Sequence, residues 1–384
     1  MKFLVLEESG VKVTIHKLFD YLLETTAAEP PECFIGFSLA RSPRLKDFLP
    51  DLDPNLSLDW NGASFLGLPA LRQRVLDQAH LSHLSPDTVL ITAGAAEANY
   101  LLFRQLLTAG DEIITEAPGW PQAGVMAKAI GARLVEVARE EAQGWHLDPE
   151  AVARAITPKT RMIFLTNPNN PTGRLIPEKD LRALAALADR HGIWLVVDEV
   201  YAGLEWAGPR PPPIAGLTPF GITTGSVSKA LGLQGLRTGW MICQSAEVIR
   251  DAMILRENSS EIMSTLGEHI AEIALRPNRL TAALTRARDE ALAALDRLDH
   301  FVTAEPRLGW HRPEAGLIGL ARVEGILGEA LSRALLAPPW RTFLLPGSAY
   351  GLPNHIRLGV GGGPEARTVE GLTRLSRFLA TEAG

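Results

Sequence analysis

The segment GITTGSVSKALGLQGLRTGW, residues 221–240, places a lysine among small and apolar neighbours directly after a short strand pattern. The hydroxyls of Ser226 and Ser228 precede Lys229, and Arg237 follows it. A lysine removed from water favours its neutral amine, which can attack a carbonyl carbon and form a Schiff base. Two hydroxyls and a guanidinium suit a phosphate dianion. The segment therefore suggests a site for pyridoxal phosphate (PLP), and a lysine in an ordinary surface loop is the alternative.

Upstream of this segment, short apolar runs alternate with helical patterns from about Asp87 onward. The predicted strands are Thr88–Thr92, Glu112–Thr115, Arg133–Val137, Arg161–Thr166, Ile193–Val197 and Gly221–Ser226. The predicted helices include Gly67–His80, Gln122–Ile130, Pro149–Ile156 and Pro177–His191. This alternation indicates a mostly parallel sheet covered by helices on both faces. Ligands of such sheets bind beyond the carboxyl ends of the strands.

The two ends of the chain have a different pattern. Beyond Leu266 the sequence is rich in Ala, Leu and Arg and predicts helix to about Leu298. Further strands are predicted at Gly316–Arg322, Thr342–Leu345 and His355–Val360, followed by a helix at Thr368–Ala383. Near the N-terminus, Thr14–Thr25 predicts a short amphipathic helix and Pro50–Leu58 a connector. We interpret these parts as a second, smaller α+β domain.

Composition narrows the class of protein. The chain has 384 residues, of which 46% are hydrophobic and 21% charged, as in soluble globular proteins. A net charge of −6 and the lack of a Lys/Arg cluster argue against a nucleic-acid partner. No apolar run is long enough to span a membrane. Cys33 and Cys243 provide neither a disulfide framework nor zinc-ligand spacing, so no metal site and a reducing cytoplasmic location are predicted.

Residues that follow the early strands are the first candidates for ligand contacts. Gly94, Ala95 and Ala96 form a small-residue turn that opens a helix, where exposed backbone amides can bind an anion. Trp120 lies on a loop between two prolines and could stack on a flat ring. A plain tight turn and ordinary packing are the respective alternatives.

Three later positions add polar groups at strand ends. The string NPNNPTG, Asn167–Gly173, can hold an amide side chain rigidly, because two prolines restrict its backbone. Asp198 ends an apolar strand, where a carboxylate needs a cationic partner, although a helix N-cap would also explain it. Arg357 lies in an apolar strand pattern and could bind a carboxylate or form a structural salt bridge.

Three strings in this order resemble a known family. They are NPNNPTG at Asn167–Gly173, DEVY at Asp198–Tyr201 and SVSKALGLQGLRTGW at Ser226–Trp240. Asn170 and Asp198 are 28 residues apart, and Asp198 and Lys229 are 31 apart. The chain resembles fold-type I PLP-dependent enzymes of the class I/II aminotransferase group over essentially its whole length.

The resemblance implies an architecture and an assembly. It implies an aspartate aminotransferase-like α/β fold, with a large, doubly wound, mostly parallel seven-stranded sheet domain and a smaller α+β domain. Residues 53–270 would form the large PLP-binding domain, and residues 1–52 and 271–384 the small one. Members usually work as homodimers, with each active site at the interface.

The resemblance also implies a role for each matching residue. Lys229 would bind PLP as a Schiff base and move the α-proton, Asp198 would keep the pyridine nitrogen protonated, and Arg357 would clamp the substrate α-carboxylate. Asn170 and Tyr201 would hold the phenolic oxygen of the ring, with Asn170 also near the substrate, and Trp120 would stack on the ring. The groups that would hold the phosphate are the amides of Ala95 and Ala96 and the side chains of Ser226, Ser228 and Arg237.

The sequence departs from the family pattern in parts that face the substrate. The tyrosine that usually reaches the phosphate of the partner subunit is missing, and Trp60 is the nearest aromatic residue on the N-terminal side of Asn61. The loop that covers the substrate reads GFSLARSPR instead of the usual glycine-containing sequence. Similar departures occur in capreomycidine synthase-like cyclases, so the side chain of the substrate stays open.

The expected activity is transfer of an amino group from an L-amino acid to a 2-oxo acid, with a PLP-dependent lyase or cyclase as the alternative. Two other classes are less well supported. A serine hydrolase with Ser226 and Lys229 as an S-x-x-K pair lacks its companion motifs. A non-catalytic ligand-binding module does not explain Lys229.

Overall fold

The computed structural model describes residues 30–59, 64–360 and 364–381. The helix predicted at Thr14–Thr25 and the question about Trp60 lie outside these residues. The strands are β1 (Cys33–Phe34), β2 (Val89–Thr92), β3 (Glu112–Ala117), β4 (Arg133–Ala138), β5 (Thr160–Thr166), β6 (Trp194–Asp198), β7 (Gly221–Ser226), β8 (Gly239–Cys243), β9 (Leu308–Trp310), β10 (Ile318–Val323), β11 (Thr342–Phe343), β12 (Leu345–Pro346) and β13 (His355–Gly359).

The helices of the described chain separate these strands. They are α1 (Pro69–Gln78), α2 (Ala95–Leu106), α3 (Gln122–Ile130), α4 (Pro149–Ala155), α5 (Glu178–His191), α6 (Ala246–Glu257), α7 (Thr265–Ala274), α8 (Pro277–Ala304), α9 (Gly328–Leu336) and α10 (Glu365–Thr381). Within the described ranges, none of them has the length and apolar character needed to cross a membrane.

A seven-stranded sheet forms the centre of the molecule. Its strand order is β2-β8-β7-β6-β5-β3-β4, and only β8 runs opposite to the other six. The six strands that run together are those predicted from the sequence, with ends shifted by one or two residues. Strand β8 was missed because it follows β7 through a loop without an intervening α-helix, and the alternation of strand and helix is lost there.

The sheet is covered on both faces, as the alternation of its side chains requires. In β5, Met162 and Phe164 pack in one apolar cluster with α2, α3 and α6. Ile163 and Leu165 point the other way and pack with α4 and α5. Because successive strand residues alternate between faces, continuous apolar strands of this kind need a helix layer on each side. The predicted doubly wound arrangement is confirmed.

Both ends of the described chain contribute to a second apolar cluster beside the large sheet. Strands β12, β13, β10 and β9 form an antiparallel sheet in that order, and β1 pairs in parallel with β11. The long helix α8 and the C-terminal α10 bury apolar side chains against these strands. The assignment of both chain ends to one small α+β domain stays a prediction. The domain limits themselves, at residues 53 and 271, stay a prediction.

The strand predicted at Thr342–Leu345 is two strands in different sheets. Phe343 lies opposite Phe34 in the β1–β11 pair, whereas Leu345 lies opposite Arg357. The chain therefore changes partner at Leu344, which is fully buried between the two. A period-two pattern in the sequence cannot reveal this change of strand partner, because the side chains continue to alternate through it.

Candidate active site

A cavity of about 300 Å³ opens at the carboxyl ends of the central parallel strands. It is lined by all eleven residues that the sequence analysis singled out: Ala95, Ala96, Trp120, Asn170, Asp198, Tyr201, Ser226, Ser228, Lys229, Arg237 and Arg357. Strands β5, β6 and β7 lead into it, because their C-terminal residues are Thr166, Asp198 and Ser226. Residues that are distant in sequence meet here because parallel strands end at a common edge of the sheet.

Lys229 lies in the loop that follows β7. Its Nζ is 3.3 Å from Oγ of Ser38, and its carbonyl accepts a hydrogen bond from the amide of Ala40. Burial lowers the pKa of Lys229 to about 8, and the positive charge of Arg357 acts in the same direction. With this pKa roughly a tenth of the amines are neutral at pH 7 and about half at pH 8, far more than for an ordinary lysine, as suits a nucleophile and proton carrier.

Asp198 ends β6 and is buried. Its Oδ2 accepts a hydrogen bond from Nδ2 of Asn99 at 2.8 Å, and its Oδ1 accepts one from the amide of Val200 at 3.1 Å. Burial raises the pKa of Asp198 to about 6, which the hydrogen bond from Asn99 only partly offsets. A carboxylate in this position gains from a cation in the cavity, because a nearby positive charge would offset its loss of solvation.

Asn170 projects from a loop whose other amides are used within the loop. Oδ1 of Asn169 accepts hydrogen bonds from the amide and hydroxyl of Thr172, and Oδ1 of Asn167 accepts one from the amide of Ile176. These bonds hold the NPNNPTG loop from inside. Asn170 is the asparagine of this loop that faces the cavity. The sequence pattern alone could not show which of the three asparagines does so.

Asn170, Tyr350 and Arg357 form one buried network. Nη1 of Arg357 donates to the Tyr350 hydroxyl at 2.7 Å and to Oδ1 of Asn170 at 3.2 Å, while the Tyr350 hydroxyl donates to the same oxygen at 3.2 Å. Nη2 of Arg357 donates to the carbonyl of Gly36 at 2.8 Å. Two donors on Oδ1 orient the amide so that Nδ2 of Asn170 is available to a ligand.

The opposite part of the cavity is suited to an anion. Ala95 and Ala96 begin α2, and amides in the first turn of a helix have no acceptor within it. Gly94 precedes them at φ +86°, and a Cβ there would come within 2.5 Å of Nη2 of Arg237. Only glycine therefore lets the guanidinium lie against this turn. Ser226 and Ser228 line the same cavity.

Two aromatic residues complete the predicted set. Tyr201 is buried, and burial raises the pKa of its phenol, so the hydroxyl stays protonated and can donate. Trp120 is half-buried and packs against the apolar cluster that contains Phe343 and Leu345. Both line the cavity, and their contacts with a ring stay a prediction.

Sequence reasoning missed several residues of the site. Ser38, Asn99 and Tyr350 touch Lys229, Asp198 and Arg357 respectively, and Phe37 and Phe343 line the cavity. A weak signal existed for Asn99, an amide on the apolar face of α2. Ser38 lies in the GFSLARSPR loop that is expected to cover the substrate, but nothing in the sequence pairs it with Lys229, which is 191 residues away. Tyr350 carried no signal, because its contact with Arg357 depends on packing that the sequence does not specify.

Comparison with known proteins identifies the family. The profile described as aminotransferase class I and II matches residues 61–375. A probable aspartate/prephenate aminotransferase of Thermus aquaticus is 31% identical over 307 residues, which cover 78% of this chain and 79% of that protein.

Solved structures show the same fold. A PLP-dependent aminotransferase from Streptococcus suis superposes with a TM-score of 0.87 at 25% identity, covering 96% of this chain and 98% of that one. The PLP-dependent cyclase OrfR superposes with a TM-score of 0.86 at 25% identity, covering 98% of this chain and 99% of that one. The predicted aspartate aminotransferase-like fold is thereby confirmed.

These similarities settle the reaction class. The protein is a PLP-dependent transferase that moves an amino group from an amino acid to a 2-oxo acid. The serine hydrolase and the non-catalytic module are set aside on the same ground. The chain belongs to the class I and II aminotransferase family.

Proposed function

We propose that the cavity holds PLP along the ends of β5, β6 and β7, and the substrate between Lys229 and Arg357. The observation that supports this is the convergence of all eleven predicted residues on one cavity. When bound, PLP supplies an aldehyde that condenses with an amine and a ring that accepts the electron pair left at the α-carbon.

The residues of the cavity fit both ends of this cofactor. At the phosphate end, Arg237 and the first amides of α2 supply positive charge and donors, with the hydroxyls of Ser226 and Ser228 beside them. At the ring end, the buried carboxylate of Asp198 faces the cavity and lacks a basic side chain among its hydrogen-bond partners. A protonated ring nitrogen would supply the cation that this carboxylate needs.

Lys229 is the group that would move the proton. Its amine is largely desolvated, and its pKa of about 8 lies close to the working pH, which suits both removal and return of a proton. Ser38, 3.3 Å from Nζ, would orient the amine by a hydrogen bond. Tyr201 and Nδ2 of Asn170 would donate to the phenolic oxygen of the ring.

Uptake of PLP by the cofactor-free protein tests this arrangement. Because burial lowers the pKa of Lys229 to about 8, the rate of covalent uptake should rise about tenfold per pH unit below pH 8 and level off above it. An ordinary lysine would continue to gain rate up to a pH of about 10.4. The measurement is stopped-flow absorbance between pH 6 and 10, and a rate that keeps rising to pH 10 would contradict the proposal.

Tyr350 is expected to position the carboxylate clamp. Its hydroxyl bonds to both Arg357 and Asn170, so Tyr350→Phe removes one hydrogen bond to a charged group, worth about 1.5–3 kcal/mol. We expect KM to rise about tenfold for amino acids and 2-oxo acids alike, with kcat changed less than about threefold.

Steady-state kinetics of both half-reactions, together with PLP affinity, will check this expectation. Ser348→Ala is the matched control, because Ser348 belongs to the same turn as Tyr350 but donates its hydrogen bond to Glu329 and not to Asn170. An unchanged KM in Tyr350→Phe would show that Tyr350 does not act through the carboxylate. A loss of PLP affinity as large as the rise in KM would show the same.

We also propose a homodimer. Apolar side chains near the start of α7 and on α2 and α6 are exposed: Leu58, Leu266, Tyr100 and Ile254. Thr265 Oγ1 donates to the carbonyl of Asp59, so Leu58 and Leu266 belong to one surface region. Exposed apolar groups of this kind often mark an interface. Sedimentation equilibrium should give twice the 41.6 kDa of one chain, and 41.6 kDa at micromolar concentration would refute the dimer.

A cytoplasmic location is proposed as well. Its support is chemical, because Cys33 and Cys243 are both free and buried and so suit a reducing compartment. Cell fractionation followed by immunoblotting would test it, and enrichment outside the cytoplasm would exclude it.

A further inference from the structure

The wall of the cavity beside Arg357 is apolar. Leu345 lies directly opposite Arg357 in the antiparallel pair of β12 and β13, so the two side chains lie on the same face of the sheet. Both line the cavity, as do Phe37, Leu39 and Phe343. We refer to Phe37, Leu39, Phe343 and Leu345 as the apolar wall.

Aromatic stacking holds this wall in place. The rings of Phe37 and Phe343 are stacked, with centroids 5.0 Å apart and planes 22° from parallel. The ring of Phe34 packs against both, with its centroid 5.2 Å from that of Phe37 and 6.1 Å from that of Phe343. Phe37 is 37% exposed, whereas Phe343 is almost fully buried. The wall is therefore a preformed surface with one face open to a ligand.

Every charge at the cavity already has a function in the proposed arrangement. Among the residues that the structure describes, the charged side chains lining the cavity are Asp198, Lys229, Arg237 and Arg357. Arg41, in the loop that covers the substrate, does not line the cavity and forms an ion pair with Glu290 at 2.7 Å. A second charge on the substrate therefore meets no partner from these residues.

We propose that the substrate carries an apolar side chain, aromatic or branched aliphatic, packed against the apolar wall; this rests on the proposed binding of the α-carboxylate by Arg357. Once Arg357 holds the carboxylate, the nearest surface for the side chain includes Leu345 and the stacked phenylalanines. Burying apolar groups there is favourable, whereas a carboxylate or guanidinium would lose its hydration without gaining a partner among the described residues of this chain. The inferred preference differs from the aspartate in the name of the Thermus aquaticus relative.

The test compares four amino acids on the PLP-loaded enzyme: phenylalanine, leucine, aspartate and arginine. Conversion of bound PLP to pyridoxamine phosphate is followed by absorbance under single-turnover conditions. We expect kcat/KM for phenylalanine and leucine to exceed that for aspartate and arginine by at least about 100-fold, because unpaired polar groups discriminate strongly.

Two variants test whether the apolar wall causes the preference for apolar amino acids. Phe37→Arg should shift the ratio of aspartate to phenylalanine turnover toward aspartate by at least about tenfold, since it places a cation at the open face. Phe37→Ala should lower the rate with phenylalanine by a larger factor than the rate with aspartate, because only the apolar side chain loses its packing partner. Leu327→Arg is the control, because Leu327 is 55% exposed and lies outside the cavity.

The outcomes separate this inference from the proposed function. Faster conversion of aspartate or arginine than of both apolar amino acids, or equal rates for all four, overturns the inference and leaves transamination intact. An unchanged ratio in both Phe37 variants also overturns it, because the wall would then not contact the side chain. Failure of every amino acid to convert bound PLP would instead contradict the proposed roles of Lys229 and Asp198.

Discussion

Replacing Lys229 with alanine is expected to lower the rate of amino-group transfer by about 10⁴-fold. Lys229 is the only lysine that lines the described part of the cavity, and a positioned proton carrier contributes about 10²- to 10⁴-fold to a rate. The buried amine also provides the covalent attachment for PLP. The measurement is the single-turnover conversion of bound PLP by an amino acid.

The controls separate chemistry from folding. Lys179→Ala removes an exposed lysine on α5 and should leave the rate unchanged. Circular dichroism should show the same helix content for both variants. A small primary amine added to Lys229→Ala should restore part of the activity, because it can enter the space of the missing side chain. Activity within tenfold of the unmodified enzyme would rule out Lys229 as the proton carrier.

Asp198→Asn is expected to lower kcat by about 10²- to 10³-fold with little effect on the KM for the amino acid. The amide keeps the shape of the carboxylate, but its single oxygen can accept a hydrogen bond from only one of Asn99 and Val200, and it cannot balance a protonated ring nitrogen. Removing one partner of a buried charge pair costs about 3–5 kcal/mol, and each 1.36 kcal/mol corresponds to a factor of ten in rate.

The pH dependence of PLP affinity gives a second measurement on the same variant. Burial raises the pKa of Asp198 to about 6, so the carboxylate is ionised above pH 6 and becomes neutral below it. The affinity for PLP should therefore weaken more steeply below pH 6 in the unmodified protein than in Asp198→Asn. Asp198→Glu, which keeps the charge, should retain the pH dependence. Equal pH profiles for the unmodified protein and Asp198→Asn would show that Asp198 does not titrate against the cofactor.

Local sequence determined most of the central sheet and the candidate site. Apolar runs such as Ile193–Val197 read as buried strands because both of their faces must be covered, and this property is visible in composition alone. Polar residues at the ends of such runs, including Asp198, were expected together because parallel strands share an edge. The resemblance to the aminotransferase family added Tyr201, and all eleven predicted residues line one cavity.

Only the tertiary structure shows strand β8 and the residues that contact the predicted site residues. Strand β8 could not be predicted from alternation because no α-helix separates it from β7, only a loop with one 3-10 turn at Gln234–Leu236. Asn99 contacts Asp198 across 99 residues, and Ser38 reaches Lys229 across 191. Such contacts depend on how whole elements pack, and one-dimensional periodicity contains no information about packing partners.

The proposed contacts of the substrate are divided in the same way between those that the sequence predicts and those that only the tertiary structure shows. The sequence assigned Arg357 to the α-carboxylate but marked no pocket for the rest of the molecule. Phe37 and Phe343 are 306 positions apart and become one stacked surface because β1 pairs with β11. Local patterns and the family resemblance thus predicted the residues that we propose act on the part shared by all amino acids. The surface that distinguishes one amino acid from another arises from long-range strand pairing.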